Sequence, residues 1–424
     1  MKIGRQRFFI GALIIFLVVV AVCFVIAYNK NKGNGSATDN QMSGGSASSI
    51  SAEYEGIDYG NSKNVSDDEV VEITDGGSYN LSGSYESVTI NTDEDVELNL
   101  NGVEINCTSG PAINVIEADT VSIVLNGTNT ISATTTEDLD GAIYSKADLV
   151  FSGSGTLNVE SNYDGIVSKD TLVIKSGTYV IESDDDGIRG KDNVAIVDGD
   201  FTINAGGDGI KATNDTDDGE GYIAIDGGKF NITSGTDGMD AVLDITINGG
   251  DFTLNCKDDA IHGDGKVEIN DGNFKITAAE GIEATYVKIN GGNITIDASD
   301  DGINAGAKST AYAVTIEING GELTINMGSG DTDGIDANGN IYINGGTINI
   351  TANSPFDYDG NAEFNGGTLI VNGEETDTIT NQMMGGGMNG NPMGRQMNMN
   401  GSSQEMNQEN AGMNFGVQKG QGRR

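Results

Sequence analysis

The sequence has no tryptophan, a single histidine, only 3 prolines and only 3 cysteines among its 424 residues. With one histidine (His262) there is no Ser-His-Asp set, and no phosphate-cradling P-loop occurs either, so the common nucleophilic and nucleotide-dependent chemistries are excluded. Basic residues are scarce as well: 22 Lys and Arg face 64 Asp and Glu, a net charge of −42. Such a surface repels phosphates, which excludes nucleic acid and anionic lipid as principal partners. It attracts cations instead, calcium above all. Also missing is any helical period of apolar residues in the body of the chain.

What is present begins with an apolar run. Lys2, Arg5 and Arg7 precede an uncharged stretch from Phe8 to Tyr28 that is long enough to span a bilayer. It ends at Tyr28-Asn29-Lys30 with no good cleavage site, so residues 1–28 read as a transmembrane signal anchor with the rest of the chain outside. A secreted chain, or a lipoprotein through Cys23, is the alternative. Residues 29–64 are rich in Asn, Gly and Ser and read as a flexible linker. Residues 373–424 hold most of the methionines among Gly, Asn and Gln and read as a disordered tail. Its Met383, Met384, Met388 and Met393 offer thioethers that bind Cu(I), beside the simpler reading of a flexible end.

Between these ends a repeat decides the fold. Asp-Gly-Ile or a variant recurs at Asp164-Gly165-Ile166, Asp186-Gly187-Ile188, Asp208-Gly209-Ile210, Asp237-Gly238-Met239, Asp259-Ala260-Ile261, Glu280-Gly281-Ile282, Asp301-Gly302-Ile303 and Asp333-Gly334-Ile335. Successive acid numbers differ by 22, 22, 29, 22, 21, 21 and 32, so two repeats carry insertions. Two further alternating runs align inside each repeat. One ends in Gly-Gly, as in Ile245/Ile247, and one follows the glycines, as in Phe252/Leu254. Alternation of period two buries one face of each run.

Three short strands per repeat predict an all-β fold: a right-handed, single-stranded parallel β-helix over residues 65–372. About twelve coils would make a rod on the order of 60 Å at the usual strand spacing. Equivalent residues then form vertical files. Phe201, Phe230, Phe252 and Phe274 are expected to stack inside, and Asn248, Asn270, Asn290, Asn319, Asn344 and Asn365 to hydrogen-bond along a turn. Cys107 and Cys256 fall too far apart in the stack to bridge. A monomer is expected.

Two files carry candidate chemistry. The acid file contains Asp164, Asp186, Asp208, Asp237, Asp259, Glu280, Asp301 and Asp333, with Asp184 and Asp185 beside Asp186. Each Asp either caps its own turn through backbone N–H groups or shares Ca²⁺ with the next coil. For Asp184, Asp185 and Asp186, and for the insertion with Asp215, Asp217 and Asp218, calcium is the favoured reading. The insertion is not an EF-hand loop, since Asn214 and Thr216 occupy two ligand positions.

The second file is basic: Lys146, Lys169, Arg189, Lys191 and Lys211 gather on one face of adjacent coils. They either pair with nearby acids such as Asp148, Asp170 and Asp192 or meet an external polyanion, for which a uronic-acid polymer has the right carboxylate repeat. His262 is expected on a solvated face without a partner.

The string Asp140-Gly-Ala-Ile-Tyr-Ser-Lys-Ala-Asp-Leu, followed by Asp164-Gly-Ile-Val-Ser-Lys-Asp, Asp186-Gly-Ile-Arg-Gly-Lys-Asp and Asp208-Gly-Ile-Lys-Ala-Thr-Asn, resembles the clostridial carbohydrate-binding β-helix family. The resemblance implies a pectate-lyase-like fold outside the membrane, bound calcium, and binding of cellulose and polygalacturonate without catalysis. It covers residues 65–372, and the plain membrane anchor departs from the family's usual lipoprotein or cleaved signal. The absence of Trp argues for a soluble acidic glycan rather than crystalline cellulose, with Tyr144, Tyr163, Tyr222 or Tyr312 as aromatic contacts. Two other functions stay open. A calcium-dependent polysaccharide lyase would use Arg189 or Lys191 beside Asp186, and a structural adhesin or spacer would need no glycan.

Overall fold

The computed structural model describes residues 46–66, 70–329 and 332–381. The apolar run Phe8–Tyr28, Cys23 and the tail beyond residue 381, with Met383, Met384, Met388 and Met393, lie outside the described residues. The first residues read as disordered tail are instead ordered, Glu374–Thr376 forming a strand. No helix among the described residues is long and apolar enough to cross a membrane.

The described chain is all-β with a mostly parallel sheet. Its strands fall into three files, within which a strand pairs in parallel with its equivalent one repeat later. In the first file Gly141–Ser145 pairs with Asp164–Ser168, and the file continues through Ile188–Gly190, Ile210–Ala212 and Met239–Ala241. The second runs from Asp148–Gly153 through Leu172–Ile174, Asn193–Ile196 and Tyr222–Ile225 to Ile245–Ile247. The third runs from Thr156–Ser161 through Thr178–Ser183, Asp200–Ala205, Lys229–Ser234 and Asp251–Cys256 to Asn273–Ala278. In two coils the first and second files merge into single strands, Asp259–Ile269 and Glu280–Ile289. The register shift between Gly263 and Lys266 absorbs the corner. At the far end Thr368–Val371 folds back antiparallel onto Glu374–Thr376, with Asn372 and Gly373 both at positive φ. An Asn-Gly turn of this kind caps the otherwise open edge of the last coil.

The interior is packed as the period-two pattern requires. The isoleucines and methionine that follow the Asp-Gly pairs, from Ile166 to Ile335, are all fully buried. The aromatic file forms as expected: centroids of Phe201 and Phe230 lie 4.8 Å apart, Phe230 and Phe252 4.7 Å, and Phe252 and Phe274 4.5 Å, with rings within 4° of parallel. Tyr179 adds a rung at 4.9 Å from Phe201.

The glycines explain why rings fit here. Gly250 has φ +123°, and a Cβ there would lie 2.9 Å from the Phe252 ring. The second glycine of the Gly-Gly pair therefore makes the turn and leaves room for the phenylalanine two residues on. The amide ladder is complete from Asn365 to Asn248, each Nδ2 donating to the Oδ1 one coil earlier at 2.7 to 2.9 Å. It ends on Asp226, which accepts from Asn248 at 2.7 Å. A carboxylate has no proton to donate, so it fixes the direction of the ladder.

The segment read as a flexible linker is partly ordered: Lys63–Asn64 forms a strand parallel to Gly77–Tyr85, and a helix stands upstream of it. Within the segment read as a linker, Ala47–Ser51 forms a short helix, and Ala47 and Ile50 cover Val150, Val173, Ala195 and Ala224 on the outer side of the second file. Ser48 N–H donates to Asp226 Oδ2 at 2.7 Å, and Lys175 pairs with Glu55 at 2.6 Å. The second file is thus buried on both sides here, and small side chains at Ala195 and Ala224 let the helix approach. Cys107 and Cys256 are both buried and free.

Candidate functional site

The acid file is a hydrogen-bonded ladder whose carboxylates act between coils. Asp164 Oδ1 accepts from the backbone N–H of Asp186 at 3.0 Å, Asp186 from that of Asp208 at 2.9 Å, Asp208 from Asp237 at 2.9 Å and Asp237 from Asp259 at 2.9 Å. Asp301 receives Asp333 in the same way at 3.2 Å. The capping expected within each turn is therefore directed to the next coil, roughly a repeat away in sequence. These side-chain oxygens satisfy the backbone N–H groups of Asp186, Asp208, Asp237, Asp259 and Asp333. The glycine after the acid has a separate cause: a Cβ at Gly187 would lie 2.6 Å from the Gly209 carbonyl oxygen.

Burial makes these carboxylates reluctant to ionise. Asp186 and Asp301 are pushed up to about 7, the first by burial against the pull of Lys211, the second by burial and the charge of Glu280. Asp164 and Asp237 reach about 6, again mainly through burial. Asp259 reaches about 9 because burial is reinforced by Glu283 and Glu280.

The folded state thus holds protons that the unfolded chain releases near 3.8. Stability should fall as pH rises from about 4 through this range. His262, with its pKa raised by Asp240 against burial, acts in the same direction. Asp226 and Asp240, held below the usual range by hydrogen bonds that outweigh burial, lose their contribution only in stronger acid. We expect the urea midpoint of the metal-free protein to drop between pH 5 and pH 8, and millimolar Ca²⁺ to flatten that drop. A midpoint that rises over the same interval without metal would contradict the ladder's charge state.

The basic residues do gather as expected, but most are already neutralised. Arg189 is the hub. Its Nε donates to Asp164 Oδ2 at 2.8 Å, its Nη2 contacts Asp140 and Asp164, and Asp186 lies 3.7 Å away. Lys211 pairs with Asp208 and, at 3.3 Å, with Asp240. Lys169 reaches Asp140 at 3.3 Å and lies over the Tyr144 ring at 5.5 Å. Lys191 pairs with Asp192 at 3.0 Å, with Asp217 at 3.8 Å. Lys146 is exposed at the end of the strip. Of the acids expected as partners, Asp192 serves; Asp140, a file member one coil earlier, takes the place expected for Asp170.

Among the metal candidates, Asp164, Asp185 and Asp186 bring oxygen atoms within 4.8 Å of one another. Asp184 is exposed beside them, and Asp215, Asp217 and Asp218 lie exposed on the insertion. There Asn214 organises the turn, accepting from the N–H groups of Thr216 and Asp217 at 3.0 and 3.1 Å.

A separate surface emerges on the outer side of the third file. A shallow groove of about 450 Å³ runs across Asp200–Ala205, Lys229–Ser234, Asp251–Cys256 and Asn273–Ala278, lined by Lys229, Asn231, Thr253 and Lys275 and also by Asp200 and Asp251. Lys229 and Lys275 are exposed, and neither makes an ion pair among the described residues.

The sequence model of the family described as "carbohydrate-binding domain-containing protein" matches residues 67–329 and 256–415. The chain belongs to that carbohydrate-binding family. A solved structure described as a polysaccharide lyase-like protein from C. thermocellum, gadolinium derivative, is 29% identical over 48% of this chain and 89% of its own, with a TM-score of 0.46. No curated protein matches.

Within this carbohydrate-binding chain the structure corrects two readings. His262 is not a solvated, partnerless residue: its side chain is 17% exposed and its Nδ1 lies 2.8 Å from Asp240 Oδ1. The register explains this, because His262 sits between Asp240 and Glu283 on neighbouring coils. Of the tyrosines suggested for ligand contact, Tyr144 is buried, Tyr222 packs beside the short helix, Tyr312 donates to Asp244 at 2.7 Å, and Tyr163 stays half-buried. The groove residues Lys229 and Lys275 were missed although a signal existed: they occupy outward positions of strands whose inward positions are Phe230 and Phe274.

Proposed function

We propose that the protein binds acidic polysaccharide of the plant cell-wall type without cleaving it, and that the third-file groove is where the sugar lies. The observation that carries this is the pair of exposed ammonium groups at Lys229 and Lys275, without an ion pair among the described residues, within a row of outward Asn, Thr and Asp side chains that includes Asp200 and Asp251, in a chain of a carbohydrate-binding family. Parallel coils present an outward polar side chain about every 4.8 Å, with Asp200 and Asp251 beside Lys229, and Thr253 and Thr295 beside Lys275, a spacing at which a polymer can meet several in succession. The rings lie in the core, so recognition rests on hydrogen bonds and charge rather than stacking.

Calcium is part of the proposal. Asp164, Asp185 and Asp186 form an all-oxygen donor set of the kind hard cations take, and exposed Asp184 stands next to it. The guanidinium of Arg189 already faces Asp164 and Asp186, so Asp185 has the most carboxylate to offer. When bound, the ion would supply positive charge to an acidic partner. Asp208, Asp237 and Asp301 are assigned to the same file.

Cleavage by β-elimination needs a base free to take a proton. Arg189 is engaged by Asp140 and Asp164, and its pKa is raised by them against burial; Lys191 is paired with Asp192. Both features favour binding over lysis. The coils are taken as right-handed, the hand that crossovers between parallel strands almost always adopt. The body is taken to stand outside the cell on a single-pass anchor at residues 8–28.

Titration with galacturonate oligomers, with and without Ca²⁺, tests the reading. Changing Lys229 and Lys275 together to Ala should weaken binding about tenfold, or about 1.4 kcal/mol. Equal loss from Lys146, Lys169 and Lys191 instead would move the site to the basic strip. Steady accumulation of unsaturated uronate would overturn the non-catalytic reading. Blank glycans beside a captured protein partner would favour an adhesin.

A further inference from the structure

We propose that the Nε2 atom of His262, with the carboxylates of Asp259 and Glu283, forms a site for a divalent transition metal of the zinc class, separate from the all-carboxylate clusters and from the sugar groove. The register assembles it. His262 stands in one file with Asp240 a coil before and Glu283 a coil after, and Asp259 pairs with Glu280 along the same two strands. Donor atoms of Asp259, His262 and Glu283 lie within 4.8 Å of one another.

The two nitrogens of this imidazole are in unlike surroundings. Nδ1 is 2.8 Å from Asp240 Oδ1, and Asp240 is itself held by Lys211 at 3.3 Å. An ionised carboxylate there keeps the proton on Nδ1 and leaves the Nε2 lone pair available, the arrangement that backs a metal-bound histidine. Nε2 is sealed from solvent and has no hydrogen-bond partner among the described residues. It faces Glu283 Oε2 at 3.6 Å and Asp264 Oδ1 at 3.8 Å, too far for hydrogen bonds and suited to an intervening ion. One nitrogen with carboxylates favours zinc, manganese or cobalt over calcium, which takes oxygen only.

One cation already stands beside the site: Lys308 reaches Glu283 Oε2 at 2.7 Å from the insertion that follows Ala305. Metal loading would release this contact.

Because the chain has a single histidine, its imidazole resonances need no assignment. The full chain, stripped with a chelator and kept in excess Ca²⁺, is titrated with Zn²⁺ and with Co²⁺. We expect the imidazole signals to move to a metal-bound position and lose their pH dependence, with Co²⁺ giving a visible absorption band at one equivalent. His262→Gln should abolish the band and leave the calcium titration unchanged. Asp240→Asn should weaken metal binding about 10- to 100-fold, and Lys308→Met should strengthen it. An imidazole in the wild-type protein that keeps titrating freely at saturating Zn²⁺ would overturn the site, whatever the variants do. The outcome does not depend on whether any glycan binds.

Discussion

Changing Arg189 to Ala is expected to destabilise the protein by about 3–5 kcal/mol, the usual effect of removing one partner from a buried ionic cluster. The guanidinium touches Asp140 and Asp164 and lies 3.7 Å from Asp186, in a site where both it and Asp140 are only 18% exposed. Without it three carboxylates face one another across two coil steps. Asp164 and Asp186 already titrate near 6 and 7 with the arginine present, so the variant should be most damaged above neutral pH. Protonation then becomes the rescue: the gap between variant and wild type in urea should narrow markedly at pH 5. Arg189→Lys keeps a charge but loses the fork that reaches two acids at once, and should fall between the two. Equal stability of Arg189→Ala and wild type at pH 8 would show that solvent, not the arginine, balances the cluster. Calcium should restore part of the loss if Asp164, Asp185 and Asp186 hold it.

The repeat made the frame of this molecule legible. Once Asp-Gly-Ile is aligned, period-two alternation assigns Phe230 inward and Lys229 outward, and it puts Asn270 above Asn248. Each of these follows from backbone geometry alone, because parallel register carries residue n onto its equivalent one repeat later. What stayed hidden depends on side-chain direction. Whether Asp186 bonds its own turn or the next coil cannot be decided by spacing, since both choices keep the carboxylate on the same file. The arginine hub is similar: Asp140 belongs to the coil where Asp-Gly-Ile becomes Asp-Gly-Ala, and its reach to Arg189 spans two repeats.

His262 was misjudged for a related reason. Its position after Ile261 points to an exposed face, yet Asp240 and Glu283 flank it from adjacent coils and close over the ring. The short helix Ala47–Ser51 escaped because its partners, Val150 through Ala224, are more than a hundred residues away and its own sequence is mostly serine and alanine. The outward valines and alanines of the second file were the available clue, since they break the alternation that a solvated face would show.

Changing Phe230 to Ala should have an effect as large as the loss of Arg189, about 3–5 kcal/mol, through a cavity rather than a charge. The ring is 1% exposed and lies between Phe201 at 4.8 Å and Phe252 at 4.7 Å. Deleting it removes a filling side chain and both of its stacked neighbours' contacts in one step. The backbone has little freedom to collapse into the gap. Strands on either side are fixed by parallel pairing from Asp200↔Lys229 to Ser234↔Cys256, and the coil spacing is set by those bonds. Phe230→Leu, which keeps most of the volume, should lose less than half as much. The pattern of loss is also specific to stacked coils, where each repeat depends on its nearest neighbours. Amides of Asp200–Ala205, Lys229–Ser234 and Asp251–Cys256 should exchange faster with solvent in the variant, while those of Thr128–Ala133 near the other end keep their protection. Uniformly accelerated exchange along the whole solenoid would mean that the coils unfold as one cooperative unit and that the aromatic file is not a local clamp.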